Sequence, residues 1–102
     1  VMDLVDGHIK AIEALKQHEK SYTVNLGTGR GYSVLEVIQS FRKASGKAVP
    51  AEITGRRDGD VSRLVADPKT AKEFLVWTAQ YDMDSMCAHH WNWQKNNPQG
   101  YV

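Results

Sequence analysis

One cysteine, three prolines and no long apolar run set the first bounds on this 102-residue chain. A single thiol, Cys87, cannot close an internal disulfide, which fits a reducing compartment without requiring one. The low proline count, with eight glycines, excludes collagen-like and polyproline classes. No apolar stretch approaches the roughly 18–20 residues needed to span a bilayer. Charge of one sign is also missing. Thirteen Lys+Arg against twelve Asp+Glu leave +1 at pH 7, whereas a protein that lives on phosphate-backbone contacts shows a basic excess. The opening residues Val1-Met2-Asp3-Leu4-Val5-Asp6 carry two acids and no basic region of the kind that begins a secretory signal. Hydrophobic residues make up 41% and recur throughout, so disorder is excluded as well. The expectation is one small globular domain in the cytoplasm.

Periodicity then places the elements. Leu4, Val5, His8, Ala11, Ile12 and Leu15 share a helical stripe, which predicts a helix from Leu4 to Glu19 with Asp3 as N-cap and a core-facing His8. Gly7 inside that helix costs about 1 kcal/mol relative to Ala, so a close approach at that point is expected. The β-branched and aromatic run from Tyr22 to Leu26 predicts a strand, and Ala51–Thr54 and Leu64–Ala66 predict two more. Ser33-Val34-Leu35-Glu36 is a capping box that opens a second helix, with Gly46 as its stop. Asp67-Pro68 pairs an N-cap with a helix-first proline and starts a short helix to Leu75. A last helix spans Met83 to Asn96. The resulting class is α/β, helix-rich with short strands.

Several constellations invite chemistry. Gly27-Thr28-Gly29-Arg30-Gly31-Tyr32 lies between strand and helix, but the third glycine of a dinucleotide fingerprint falls on Tyr32. It reads as a turn that needs positive φ. Cys87, His89 and His90 point about 40°, 240° and 340° around a helical wheel, so they cannot converge on one tetrahedral ion. No metal site is expected. Trp91 and Trp93 read as packing anchors. No serine sits in a nucleophile elbow, and Cys87 lies on a buried stripe, so no catalytic residue is assigned. Arg56-Arg57-Asp58-Gly59-Asp60 is different. Two planar guanidinium forks at a glycine turn suit a diphosphate, and the carboxylate of Asp60 could accept from ribose hydroxyls. The residues alone leave a solvated charged tip as the alternative.

The order of motifs narrows this. Val1-Met2-Asp3-Leu4-Val5-Asp6-Gly7-His8, Asn25-Leu26-Gly27-Thr28-Gly29, Ser33-Val34-Leu35-Glu36-Val37, Arg56-Arg57-Asp58-Gly59-Asp60, Ala66-Asp67-Pro68 and Trp91-Asn92-Trp93-Gln94 with Asn97-Pro98-Gln99-Gly100-Tyr101 follow one another along the chain. In that order and spacing they resemble the C-terminal third of the UDP-glucose 4-epimerase family, within the extended short-chain dehydrogenase/reductases of Rossmann-like fold. The resemblance implies an isomerase that interconverts UDP-glucose and UDP-galactose through a 4-keto intermediate on tightly bound NAD. It implies that NAD and the acid/base pair belong to a preceding portion, so residues 1–102 would form the substrate-side, nucleotide-sugar-binding part and be inactive alone. It further implies that Arg57 contacts the diphosphate, Asp60 the uridine ribose and Leu64 the sugar pocket, with Arg56 and Gly59 supporting the turn. At the Leu64 position the family varies from small residues to tyrosine, small ones admitting N-acetylated sugars. A homodimeric full enzyme and self-association of this chain are expected. Phe74-Leu75-Val76-Trp77 departs from the family's commoner Glu-Leu-Gly-Trp and removes a helix-stop glycine. A stand-alone non-catalytic binding module, or a related epimerase or dehydratase acting on another nucleotide sugar, are the alternative readings.

Overall fold

The computed structural model describes residues 1–101. It contains α1 (Met2–Gln17), α2 (Val34–Ser45), α3 (Lys69–Phe74) and α4 (Met83–Asn96). Two compact units arise from interleaved stretches, one from Val1–Gly31 with Arg63–Tyr81 and one from Tyr32–Ser62 with the chain from Asp82 onward. Among the described residues no helix is long and apolar enough to cross a membrane.

The first unit is organised by Trp77, which is 1% exposed beside buried Ala71 and Leu75. Ala11, Ala14, Val24, Leu26, Phe74 and Ala79 pack against this cluster. The side of α1 that faces it carries small residues. Gly7 is buried, and a Cβ there would fall 2.5 Å from Leu26 Cδ1 and 3.3 Å from Trp77 Nε1. The expected close approach at Gly7 is therefore present.

Ala11 of the expected core stripe packs here, and the rest of the stripe is corrected by the same packing. Leu4, Val5, Ile12 and Leu15 remain about half exposed, because the small side of α1 is the one that meets the bulky indole. His8 is exposed too, with Nδ1 at 2.7 Å from the carbonyl of Leu4, so it is hydrogen-bonded but not a core residue. Asp3 does not cap α1. The N-cap is Val1, without a side-chain bond, and the helix begins two residues earlier than expected.

α3 ends without a glycine stop. The carbonyl of Ala71 accepts the N–H groups of both Leu75 (2.9 Å) and Trp77 (3.2 Å). Between them Val76 adopts φ 51°, in the left-handed region, and Lys10 Nζ donates to its carbonyl at 3.2 Å. At the other end Asp67 Oδ1 accepts the N–H of Lys69 at 3.0 Å, while Pro68 stands at the N-cap.

The second unit packs α2 on α4. Ser33 and Glu36 form the full capping box, with Glu36 Oε2 accepting the Ser33 N–H at 2.7 Å. Gly46 closes α2 at φ 67°. Asp82 caps α4 by accepting the N–H of Ser85 at 2.8 Å. Phe41 meets His90 edge-on at 5.6 Å between ring centroids, and Lys43 is bonded to Asp84. Cys87 is 2% exposed, and its burial pushes the thiol up from its ordinary value.

The three short strands do not form. Tyr22–Leu26, Ala51–Thr54 and Leu64–Ala66 run without a paired ladder among the described residues. A strand is defined by backbone partners, and these segments find none among the described residues. The helix-rich character stands, and the sheet content is the correction.

Candidate functional site at the double-arginine turn

The turn from Arg56 to Asp60 is built by Gly59. Its φ of 83° needs a residue without a Cβ penalty, and a Cβ there would meet nothing within 4 Å. The Asp60 N–H returns to the carbonyl of Arg57 at 3.3 Å. That closure brings the Asp60 side chain back over Arg57. Arg57 Nε donates to Asp60 Oδ2 at 3.1 Å and Nη2 to Oδ1 at 3.4 Å, a two-pronged carboxylate–guanidinium pair. Arg56 Nη2 donates to the Asp60 backbone carbonyl at 3.1 Å. Asp60 is thus the shared acceptor of both arginines.

The pair lies in the open. The Arg57 side chain is 85% and that of Asp60 45% exposed, and every residue from Ala51 to Asp60 is solvent-accessible. Such an exposed pair contributes only about 0–1 kcal/mol to stability. Its chemical capacity lies in the fork. A guanidinium has five N–H donors, and Asp60 takes up the Nε–Nη2 edge, so Nη1 and the outer proton of Nη2 remain as donors for an anion. Leu64 belongs to the other unit and is 87% exposed, so it is no core residue of this chain.

The remaining singled-out residues divide by location. In the glycine loop Gly29 takes φ 73°, as the turn reading requires, and the Thr28 hydroxyl donates to the carbonyl of Arg30 at 3.0 Å. Cβ atoms at Gly27 and Gly31 would each fall 2.8 Å from a side-chain carbon, of Ala66 and Val65 respectively. These glycines make room for the chain's own side chains. Trp91 is half-buried with the Lys47 ammonium 5.2 Å above its ring, and Trp93 lies 6.0 Å from the ring of Tyr101. The sequence reading passed over Trp77, the largest buried side chain. Its signal was present, as an indole just past the end of the short helix expected to reach Leu75.

No family model matches the chain. Among the curated relatives, the UDP-glucose 4-epimerase of Mus musculus is 50% identical over 101 residues, 99% of this chain. Those residues are 29% of the mouse enzyme. The UDP-glucose 4-epimerase of Stenotrophomonas maltophila, solved with bound NAD and formylated UDP-arabinopyranose, superimposes with a TM-score of 0.87 at 41% identity. It covers 95% of this chain and is matched over 29% of its own. The chain is similar from end to end to the C-terminal portion of UDP-glucose 4-epimerases. The Bifidobacterium longum epimerase, solved with NAD+ and UDP, gives a TM-score of 0.81 at 42% identity. It covers 97% of this chain and again is matched over 29% of its own length. The chain therefore spans under a third of the epimerases it matches, and its helix-rich architecture matches a C-terminal portion of their extended short-chain dehydrogenase/reductase fold.

Proposed function

We propose that residues 1–102 are the substrate-side, nucleotide-sugar-binding portion of a UDP-glucose 4-epimerase. Arg57 contacts the diphosphate and Asp60 the uridine ribose, while Arg56 and Gly59 hold the turn and Leu64 borders the sugar. The observation that carries this reading is the exposed Arg57–Asp60 pair, a free guanidinium edge beside a carboxylate, in a chain similar over 97% of its length to an enzyme crystallised with UDP. UDP-glucose and UDP-galactose are the proposed substrates, and the cytoplasm, where the lone thiol stays reduced, is the proposed location.

NAD is the cofactor of the proposed activity, and these residues do not fit it. The glycine loop lacks the dinucleotide spacing, and the space at Gly27 and Gly31 is filled by Ala66 and Val65. The contribution of this portion is to bind and orient. Holding the nucleotide diphosphate fixes the sugar relative to chemistry carried elsewhere, and such positioning is a large part of what an enzyme supplies. Alone, the chain should not turn over UDP-galactose. A homodimer of the longer enzyme is proposed, and the apolar face of α1 gives the isolated chain a route to self-association, readable by sedimentation.

The test is Arg57→Ala in an epimerase polypeptide that includes this portion. A charge-assisted hydrogen bond is worth about 1.5–3 kcal/mol, so UDP affinity should fall roughly 10- to 150-fold. Arg57→Lys should recover part of the loss, since a point charge replaces the fork. Unchanged UDP affinity in Arg57→Ala would return the turn to a solvated charged tip.

A further inference from the structure

Asp60 holds both arginines of the turn at once. Its carboxylate engages the Nε–Nη2 edge of Arg57 at 3.1 and 3.4 Å, and its backbone carbonyl engages Arg56 Nη2 at 3.1 Å. From these contacts we infer that Asp60 is a positioning residue for diphosphate recognition, in addition to any contact with ribose. The inference rests on the reading of Arg57 as the diphosphate contact.

On an exposed turn a guanidinium samples many rotamers, and each must be given up when an anion is bound. A carboxylate on the Nε–Nη2 edge fixes the plane of the fork beforehand. The remaining donors, Nη1 and the outer proton of Nη2, then point together along the opposite edge, in the geometry that suits two phosphate oxygens. Arg56, tied to the carbonyl of the same residue, is held on the same short turn. Gly59 makes the arrangement reachable, because its positive φ turns residue 60 back toward residue 57. Each carboxylate oxygen has two lone pairs, so Asp60 can keep Arg57 and still accept from a ribose hydroxyl.

Charge alone predicts the opposite behaviour. A carboxylate beside an arginine repels an incoming anion, so its neutralisation by Asp60→Asn should then strengthen diphosphate binding. Positioning predicts weakening. The sign of the effect decides between them.

The probe is inorganic pyrophosphate, which carries no ribose and so isolates the positioning role. Binding to the 102-residue chain would be followed at low ionic strength by NMR, through the Arg57 Nε–Hε resonance and the backbone amides of residues 55–62. In Asp60→Asn the pyrophosphate affinity should drop about 3- to 10-fold, within the range for residues coupled in one hydrogen-bond network. The Arg57 Nε–Hε proton should also exchange faster with water. Asp60→Glu, which keeps the charge and one prong, should fall between the two. Unperturbed resonances in α2 and α4 would show that the unit stays folded.

Equal or tighter pyrophosphate binding in Asp60→Asn would overturn the inference. So would weakening confined to UDP, since that is the result of a ribose contact only. Failure of the underlying reading looks different, because Arg57→Ala would then leave both pyrophosphate and UDP binding unchanged.

Discussion

The indole N–H of Trp77 donates to the backbone carbonyl of Asp3 at 3.0 Å, and the carboxylate of the same Asp3 accepts the N–H groups of Gln80 and Tyr81 at 2.9 and 3.0 Å. One residue near the start of α1 therefore ties down the segment after α3. Gly7 permits it, since it lies one turn beyond Asp3 and its missing Cβ leaves room for the indole edge. Trp77→Ala should destabilise the first unit by about 3–5 kcal/mol, the usual cost of emptying a large aromatic site. Asp3→Ala should cost about 1–2 kcal/mol, less than the full value of two charge-assisted bonds because water reaches the freed N–H groups. Urea unfolding followed by the NMR amide signals of α1 would measure both, since Trp91 and Trp93 lie in the other unit. A Trp77→Ala loss below that of Asp3→Ala would contradict the central place given to the indole.

Val76 is the one non-glycine residue with positive φ among those described. The left-handed conformation costs an L-residue roughly 1–2 kcal/mol, and a β-branched side chain is poorly suited to it. Its side chain is 81% exposed, so little packing offsets the strain. Val76→Gly should therefore stabilise the chain by about 1 kcal/mol, after allowing for the larger entropy glycine loses on folding. In a domain of this size that is a rise in Tm of roughly 4–8 °C. The Lys10 bond survives, because it goes to the backbone carbonyl. A Tm that is unchanged or lower would show that the left-handed stop is not strained.

Titration should read out the α2–α4 contact. Hydrogen bonds from Ser85 hold the Asp82 carboxyl below its ordinary value, and the bond from Lys43 does the same for Asp84. Lys43 is correspondingly raised by Asp84. A lowered carboxyl contributes stability that is complete above its unfolded pKa, about pH 4, and lost as pH falls through the lower folded value. A raised lysine behaves oppositely, its share being present below about pH 10 and lost as pH rises through the raised value. The difference in Tm between the chain and Asp84→Asn should thus be level from about pH 5 to 9 and shrink outside that window. A difference that does not vary with pH would remove the ion pair from the account.

These elements also show which parts of the structure are legible in sequence. α2 follows from local signals, a capping box and a glycine stop, which need no partner, and α4 keeps its expected bounds. The buried side of α1 is legible only in hindsight. Leu4, Ile12 and Leu15 have the hydrophobicity, yet Gly7, Ala11 and Ala14 have the smallness that lets α1 approach the Ala71, Leu75 and Trp77 cluster. The extended segments at 22–26, 51–54 and 64–66 have strand composition, but strands depend on neighbours that local composition does not specify. At the candidate site, the arginine turn and its glycine were readable, and the pairing of Asp60 with both arginines was not. That pairing depends on the φ of Gly59 and the closure of the turn behind it.

Leu64 supplies the last prediction. At 87% exposure its side chain is open, within this chain, to a ligand or to the remainder of a longer enzyme. Leu64→Tyr should leave the stability of the chain within about 0.5 kcal/mol, as for surface substitutions generally. In an epimerase polypeptide that includes this portion, the larger ring should crowd the space for an N-acetyl group. Forcing extra atoms into a packed site costs about 1–3 kcal/mol, which lowers kcat/KM for UDP-N-acetylglucosamine relative to UDP-glucose by about 10-fold or more. UDP-galactose turnover should be spared. The ratio of the two kcat/KM values, before and after the change, is the measurement. If it holds steady while both activities survive, residue 64 does not border the sugar, and its exposure serves some other contact.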